Sequence, residues 1–134
     1  MIYDTRMARI LLVDDDEAFL EILVEALTKR GHAVVPCSDP LAAPSAADQA
    51  PPQIAVLDFD MPRLNGHELL VELRRRKNLA RLPAIFLSGI DSMRVAAVVP
   101  PDRRVMLLRK PVDMDVLEGA IRDLLDPNSW ANAT

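Results

Sequence analysis

The stretch Ile54–Pro62, IAVLDFDMP, decides how the chain is read. Its first four residues are an unbroken apolar run. That pattern suits a strand covered on both faces of a parallel sheet, although so short a run also suits buried helix. The run ends in Asp58. A carboxylate at the end of a buried strand is costly unless its charge is compensated. In open parallel α/β sheets, ligands bind just beyond the carboxyl ends of strands. Asp58 therefore stands where such a fold does its chemistry, and the other informative residues are those able to reach it.

The chain has 134 residues, enough for one domain with one core. Half of them are hydrophobic, which excludes a disordered chain. A formal net charge of −4 does not favour bulk nucleic-acid binding. Cys37 is the only cysteine, so no internal disulfide forms and a reducing compartment is the natural reading. The opening MIYDTRMARILLV has too short an apolar run for a signal peptide, and no stretch is long enough to span a membrane. These features predict a soluble cytoplasmic protein.

Outward from Asp58, the same pattern recurs. Residues 1–7 read as an N-terminal arm. Ala8–Val13 is a second buried-strand pattern and runs straight into Asp14, Asp15 and Asp16. Leu20, Leu23, Val24 and Leu27 then share one helical face. Lys29 and Arg30 suit that helix's negative end, and Gly31 its stop. Ala33–Pro36 is a short strand. Asp39 and Pro40 suit the start of a helix, but Pro44 sits too deep in it, so a late or broken helix is expected. After the loop FDMPRLNG, where Gly66 is expected to adopt a conformation other residues avoid, a helix turns Leu69, Leu70 and Leu73 inward. It turns Arg74, Arg75, Arg76 and Lys77 outward as a solvated face. Ala84–Leu87 is a strand ending at Ser88 and Gly89. Asp91–Val99 has room for only a short helix before Pro100 and Pro101. Arg104–Leu108 is a fifth strand, followed by Arg109, Lys110 and Pro111. Asp113 caps a last helix carrying Leu117, Ala120, Ile121 and Leu124 on one face, and residues 126–134 form a tail. Five strands alternating with helices predict a parallel sheet with right-handed crossovers in one domain, residues 8–125.

Four strand ends carry polar groups able to meet: Asp14 and Asp15, Asp58, Ser88 and Lys110. Adjacent strands lie about 4.8 Å apart, so neighbouring strand ends bring such side chains within reach of one another. Several carboxylates at one spot resist full ionisation. A hard divalent cation resolves this, and oxygen-only ligands favour Mg²⁺. With a metal present, a carboxylate serves as nucleophile towards a phosphoryl group. The charge spreading over the phosphoryl oxygens then needs neutralising, a task open to Mg²⁺, the Lys110 ammonium and the Ser88 hydroxyl.

The elements ILLVDDD, VLDFDMPRLNG, FLSG and LLRKP, each at its strand end, resemble the receiver domain of a bacterial two-component response regulator of the stand-alone, CheY-like kind. The likeness covers roughly residues 8–125. It implies a flavodoxin-like (βα)5 fold with strand order 2-1-3-4-5, the order that the general rule for doubly wound sheets gives for such proteins. It implies that Asp58 accepts phosphate from a phosphohistidine on a histidine kinase or phosphotransfer protein. Asp14 and Asp15 match the acidic pair that holds Mg²⁺, one directly and one through water, with Asp58 and the backbone carbonyl of Asp60 as further ligands. Ser88 matches the hydroxyl residue that follows the phosphate, and Lys110 the lysine. A cis bond between Lys110 and Pro111 is also implied, which proline tolerates. Asp60 and Ile90 occupy positions that influence loss of phosphate in the family; Asp60 either orients a water or repels it.

Taken singly, each residue has a plainer reading. Asp14–Asp16 suit a helix cap, Asp58 an isolated strand-end acid, Ser88 a turn and Lys110 a solvated surface; only their conjunction at four strand ends selects the site. Asp16 is read as the cap. His32 and His67 lack ligand spacing and are read as surface or core. One position departs from the family: the aromatic that moves with the hydroxyl residue is Leu107 here, with no ring to swing inward. The short fourth helix adjoins the same surface, through which the family contacts partners and forms dimers. A receiver fold that binds without switching, or a phosphohydrolase using aspartyl-phosphate chemistry with Asp60 as second acid, therefore remain alternatives. No output module is legible after the last helix. The chain is accordingly expected to signal through a downstream protein target or relay phosphate, or else to be a piece of a hybrid kinase or transcription factor.

Overall fold

A computed structural model of the chain describes residues 7–89 and 92–128. The arm at 1–6, the tail from 129, and Ile90 and Asp91 lie outside the described residues. The strands are β1 (Arg9–Val13), β2 (Ala33–Cys37), β3 (Ile54–Asp58), β4 (Ala84–Ser88) and β5 (Val105–Arg109). The helices are α1 (Glu17–Lys29), α2 (Ala43–Gln49), α3 (Gly66–Leu73), α4 (Ser92–Ala96) and α5 (Met114–Leu125). All strand pairs are parallel, in the order β2-β1-β3-β4-β5.

The period-two alternation of strands explains how the sheet is covered. Leu11, Val13, Ala55, Leu57 and Phe86 face one side and pack with Ala43, Ala47, Leu69, Leu73 and Val95 from α2, α3 and α4. Ile10, Leu12, Ile54, Val56, Ile85 and Leu87 face the other, against Leu20, Leu23 and Leu27 of α1 and Leu117, Ile121 and Leu124 of α5. β1, β3 and β4 are covered on both faces, as their continuous apolar runs require. Among the described residues no helix is long and apolar enough to cross a membrane.

Local chemistry sets the helix ends. Asp16 caps α1 by accepting from the Phe19 N–H, and Asp113 caps α5 by accepting from those of Asp115 and Val116. After α1, Gly31 takes φ of 96°, a turn that favours glycine. The Asp39–Gln53 stretch is indeed broken. Asp39 caps a single 3₁₀ turn over Pro40–Ala42, and α2 starts afresh at Ala43. Pro44 then falls in the first turn of α2, where a missing N–H costs nothing.

Two expectations are corrected. Gly66 has no left-handed backbone; in that loop the positive φ, 71°, belongs to Arg63. Gly66 is required for space instead, because a Cβ there would lie 2.9 Å from the Asp58 carbonyl oxygen and 3.1 Å from the Phe59 Cα. Arg74–Lys77 is not simply a solvated face. Arg74 donates to the Leu82 carbonyl and pairs with Asp102 at 2.6 Å, and Arg76 pairs with Asp48 at 3.0 Å. These two guanidiniums therefore tie α3's end to its neighbours. His32 is a core residue: its Nδ1 accepts from the Ala8 N–H at 3.1 Å, which leaves Nε2 to donate to Glu118 at 2.9 Å.

Candidate phosphoryl-transfer site

The register delivers the site. Val13 pairs with Leu57 and Asp58 with Leu87, so β1, β3 and β4 end side by side. The Lys110 N–H donates to the Ser88 carbonyl at 2.9 Å, which fixes the start of the β5–α5 connection beside β4. The Lys110–Pro111 bond is cis. Asp14, Asp58 and Ser88 are buried, Asp15 and Asp60 exposed, and Lys110 half-buried.

The Lys110 ammonium bridges two of the acids, 3.2 Å from Asp14 Oδ2 and 3.3 Å from Asp58 Oδ1. Its Nζ also lies 4.6 Å from the centre of the Phe19 ring, in cation–π contact. Asp14 Oδ1 accepts from the Asp16 N–H at 2.9 Å, and Asp58 Oδ1 from the Asp60 N–H at 3.3 Å. Burial, and then the charge of Asp14, push the Asp58 carboxyl up to about 7, against the pull of Lys110 and the Asp60 N–H. Burial lowers the Lys110 ammonium, but the charges of Asp58 and Asp14 outweigh it and the group is raised overall. Near neutrality the lysine is thus a fixed cation, while Asp58 holds its charge with difficulty.

One ammonium against three carboxylates leaves an excess of negative charge. The carboxylates of Asp14, Asp15 and Asp58 each place an oxygen within 4.8 Å of the others. Hard, all-oxygen donors at that spacing fit a divalent cation such as Mg²⁺. A carboxyl held near 7 by burial and by the charge of Asp14 is also what such an ion would relieve.

The four strand-end groups read from the sequence are thus gathered at one place. Leu107, read as standing in for a switch aromatic, is half-buried and packs against the cluster containing Phe86. It borders a cleft of about 200 Å³ with Val95, Val99 and Pro100. Two contacts were not legible. Phe19 lies on α1 with nothing in its local pattern to mark it as a neighbour of Lys110. The side chain of Asp60 accepts from the Ser88 hydroxyl at 3.1 Å, a contact between residues 28 apart.

Several known proteins are similar to this chain in sequence or in fold. Protein PilH of Pseudomonas aeruginosa is 29% identical over 119 residues, covering 89% of this chain and 98% of PilH. The transcriptional regulatory protein GlrR of Escherichia coli is 29% identical over 124 residues, covering 92% of this chain and 28% of GlrR. The photosynthetic apparatus regulatory protein RegA of Rhodobacter capsulatus is 31% identical over 112 residues, covering 84% of this chain and 60% of RegA. The chain spans between a fifth and a half of the length of several such curated relatives. The solved receiver domain of the hybrid histidine kinase CckA superposes with a TM-score of 0.72 at 27% identity, covering 88% of this chain and 99% of that one. The Vibrio cholerae chemotaxis protein CheY4, at 22% identity, has the same fold, with a TM-score of 0.78 over 89% of this chain and 99% of its own. A family model described as the response regulator receiver domain matches residues 10–122, and the chain belongs to that family.

Proposed function

We propose that Asp58 accepts a phosphoryl group from a phosphohistidine on a histidine kinase or phosphotransfer protein, within a receiver unit spanning residues 8–125. The observation that carries this is the buried Asp58 carboxylate, bridged to Asp14 by the Lys110 ammonium at the end of β3. Asp14, Asp15, Asp58 and the Asp60 backbone carbonyl would hold Mg²⁺. The ion's contribution is charge neutralisation at the phosphoryl oxygens and at the carboxylate cluster. Asp58 attacks phosphorus through a carboxylate oxygen. The new P–O bond forms as the P–N bond to the donor imidazole breaks, and the imidazole leaves with the electron pair. Lys110 stabilises the charge on one transferred oxygen. Ser88 donates its hydroxyl to another, which favours the conformation recognised by a downstream protein target. The chain supplies the groups for its own modification and is no turnover enzyme. A reducing cytoplasm and protein partners, with self-association one form of contact, fit its free Cys37 and net charge of −4 better than direct nucleic-acid binding.

The test is intact mass after incubation with Mg²⁺ and acetyl phosphate. One added phosphoryl group is expected on the wild type and none on Asp58→Asn. Equal labelling of the two sinks the assignment. Leu107 favours a second reading, in which the fold binds a partner without switching. Partner affinity unchanged by beryllofluoride would select it.

A further inference from the structure

A serine hydroxyl carries one proton and donates to one strong acceptor at a time. In this chain the Ser88 hydroxyl donates to Asp60 Oδ2 at 3.1 Å. While the hydroxyl points at Asp60, it is not donated to an oxygen on Asp58. Ser88 closes β4 and is buried, whereas Asp60 is exposed, in the β3–α3 loop. That loop is held at several points. The Asp60 N–H donates to Asp58 Oδ1, the Gly66 N–H donates to the Phe59 carbonyl at 3.0 Å, and Arg63 reaches Asp39 at 3.4 Å. Asn65 and Glu68 close a reciprocal cap directly after it. The Asp60 carboxylate is therefore a placed acceptor. An ionised acceptor also makes a stronger hydrogen bond than a neutral one.

We propose that Asp60 is a positioning residue that holds the Ser88 hydroxyl in the unphosphorylated state, so that a phosphoryl oxygen on Asp58 must displace a carboxylate before Ser88 turns to it. The inference rests on the reading of Asp58 as phosphoacceptor. It assigns the Asp60 side chain a task in the resting state, separate from its backbone carbonyl. It also makes the chain harder to switch than the same site with a non-accepting side chain at position 60. Like-charge repulsion between Asp60 and the phosphoryl group acts in the same direction but through space, without Ser88. The experiment must separate the two.

The probe is beryllofluoride with saturating Mg²⁺, titrated into the wild type, Asp60→Asn, Asp60→Ala, Ser88→Ala and the Asp60→Ala/Ser88→Ala double variant. Asp60→Asn drops the charge and keeps an acceptor; Asp60→Ala drops both and leaves the backbone carbonyl in place. Binding is expected to tighten at least about threefold more for Asp60→Ala than for Asp60→Asn. The gain from Asp60→Ala is expected to shrink by a similar factor when Ser88 is already replaced by alanine. An equal gain in both Ser88 backgrounds overturns the proposal and leaves repulsion as the whole effect. The same four-protein cycle, read as thermal unfolding midpoints in EDTA, reports the contact without metal or phosphate. Non-additive shifts are expected, and additive shifts overturn the proposal. If the wild type takes up no beryllofluoride, it is the phosphoacceptor reading that falls, and the metal-free cycle still decides the Ser88–Asp60 pair.

Discussion

Asp58 shows how a single side chain is tuned by its surroundings. Burial and the neighbouring Asp14 raise its carboxyl to about 7 in the fold, whereas in the unfolded chain it titrates near 3.8. Between those values the folded state binds the proton and the unfolded state does not. The stability this contributes is therefore full below about pH 4 and is lost as pH rises through about 7. In EDTA, Asp58→Asn is expected to change the unfolding midpoint little at about pH 4 or below, where the wild-type carboxyl is neutral in the fold and largely protonated in the unfolded chain as well. At pH 8 it is expected to stabilise by about 1–3 kcal/mol, since it removes a buried charge that Lys110 only partly compensates. Thermal melts at the two pH values check this, and equal shifts at both would mean that burial does not hold the proton. The acid itself was legible at the end of its apolar run. Its altered titration was not, because that depends on how deeply the packed fold buries it and then on Asp14, 44 positions earlier, being folded against it.

At the scale of elements, the β3–α3 junction joins packing to function. Gly66 begins α3 directly over the end of β3, and a methyl group there meets the Asp58 carbonyl and the Phe59 Cα, both backbone atoms with little room to move. Gly66→Ala is expected to cost about 1–3 kcal/mol, read as a lower midpoint in denaturant at unchanged slope. A Gly66→Ala variant as stable as the wild type would show that the junction yields freely. The glycine was noticed in the sequence, but its reason was misread as backbone conformation. Such crowding arises only once helix and strand are packed together. The broken helix before Gln53 was legible because the proline rule is local. The ties from Arg74 to Asp102 and from Arg76 to Asp48 were not, because each spans 28 residues and joins separate elements.

Across the whole molecule, the site exists only while the ends of β1, β3, β4 and the β5–α5 connection are held together. An ion bound by Asp14, Asp15 and Asp58 would bind the folded chain and not the unfolded one. Mg²⁺ at about a hundred times its dissociation constant is therefore expected to stabilise the wild type by about 2.7 kcal/mol. Asp14→Asn should lose most of that gain, as should EDTA. Melts across a Mg²⁺ series check it, and a midpoint indifferent to Mg²⁺ counts against the acidic cluster as a metal site. The buried His32, between the start of β1 and Glu118 of α5, belongs to this scale too, since it joins residues 86 apart.

What the sequence by itself determined was everything written in short-range pattern. Four-residue apolar runs became doubly covered strands, periodic leucines became buried helix faces, and Asp16, Asp39 and Asp113 became caps. Because parallel strands end together, the polar residues after those runs were placed to meet; Asp14, Asp58 and Lys110 do, with Ser88 beside them at the end of β4. Only the tertiary structure decided which of them touch. It set Lys110 between Asp14 and Asp58 and against Phe19, turned Ser88 towards Asp60, and made Gly66 a matter of space. The physical reason is range. Periodicity and capping are set by neighbours within a turn or two, whereas a hydrogen bond between residues 28 or 96 apart depends on register and rotamers that the local chain does not encode.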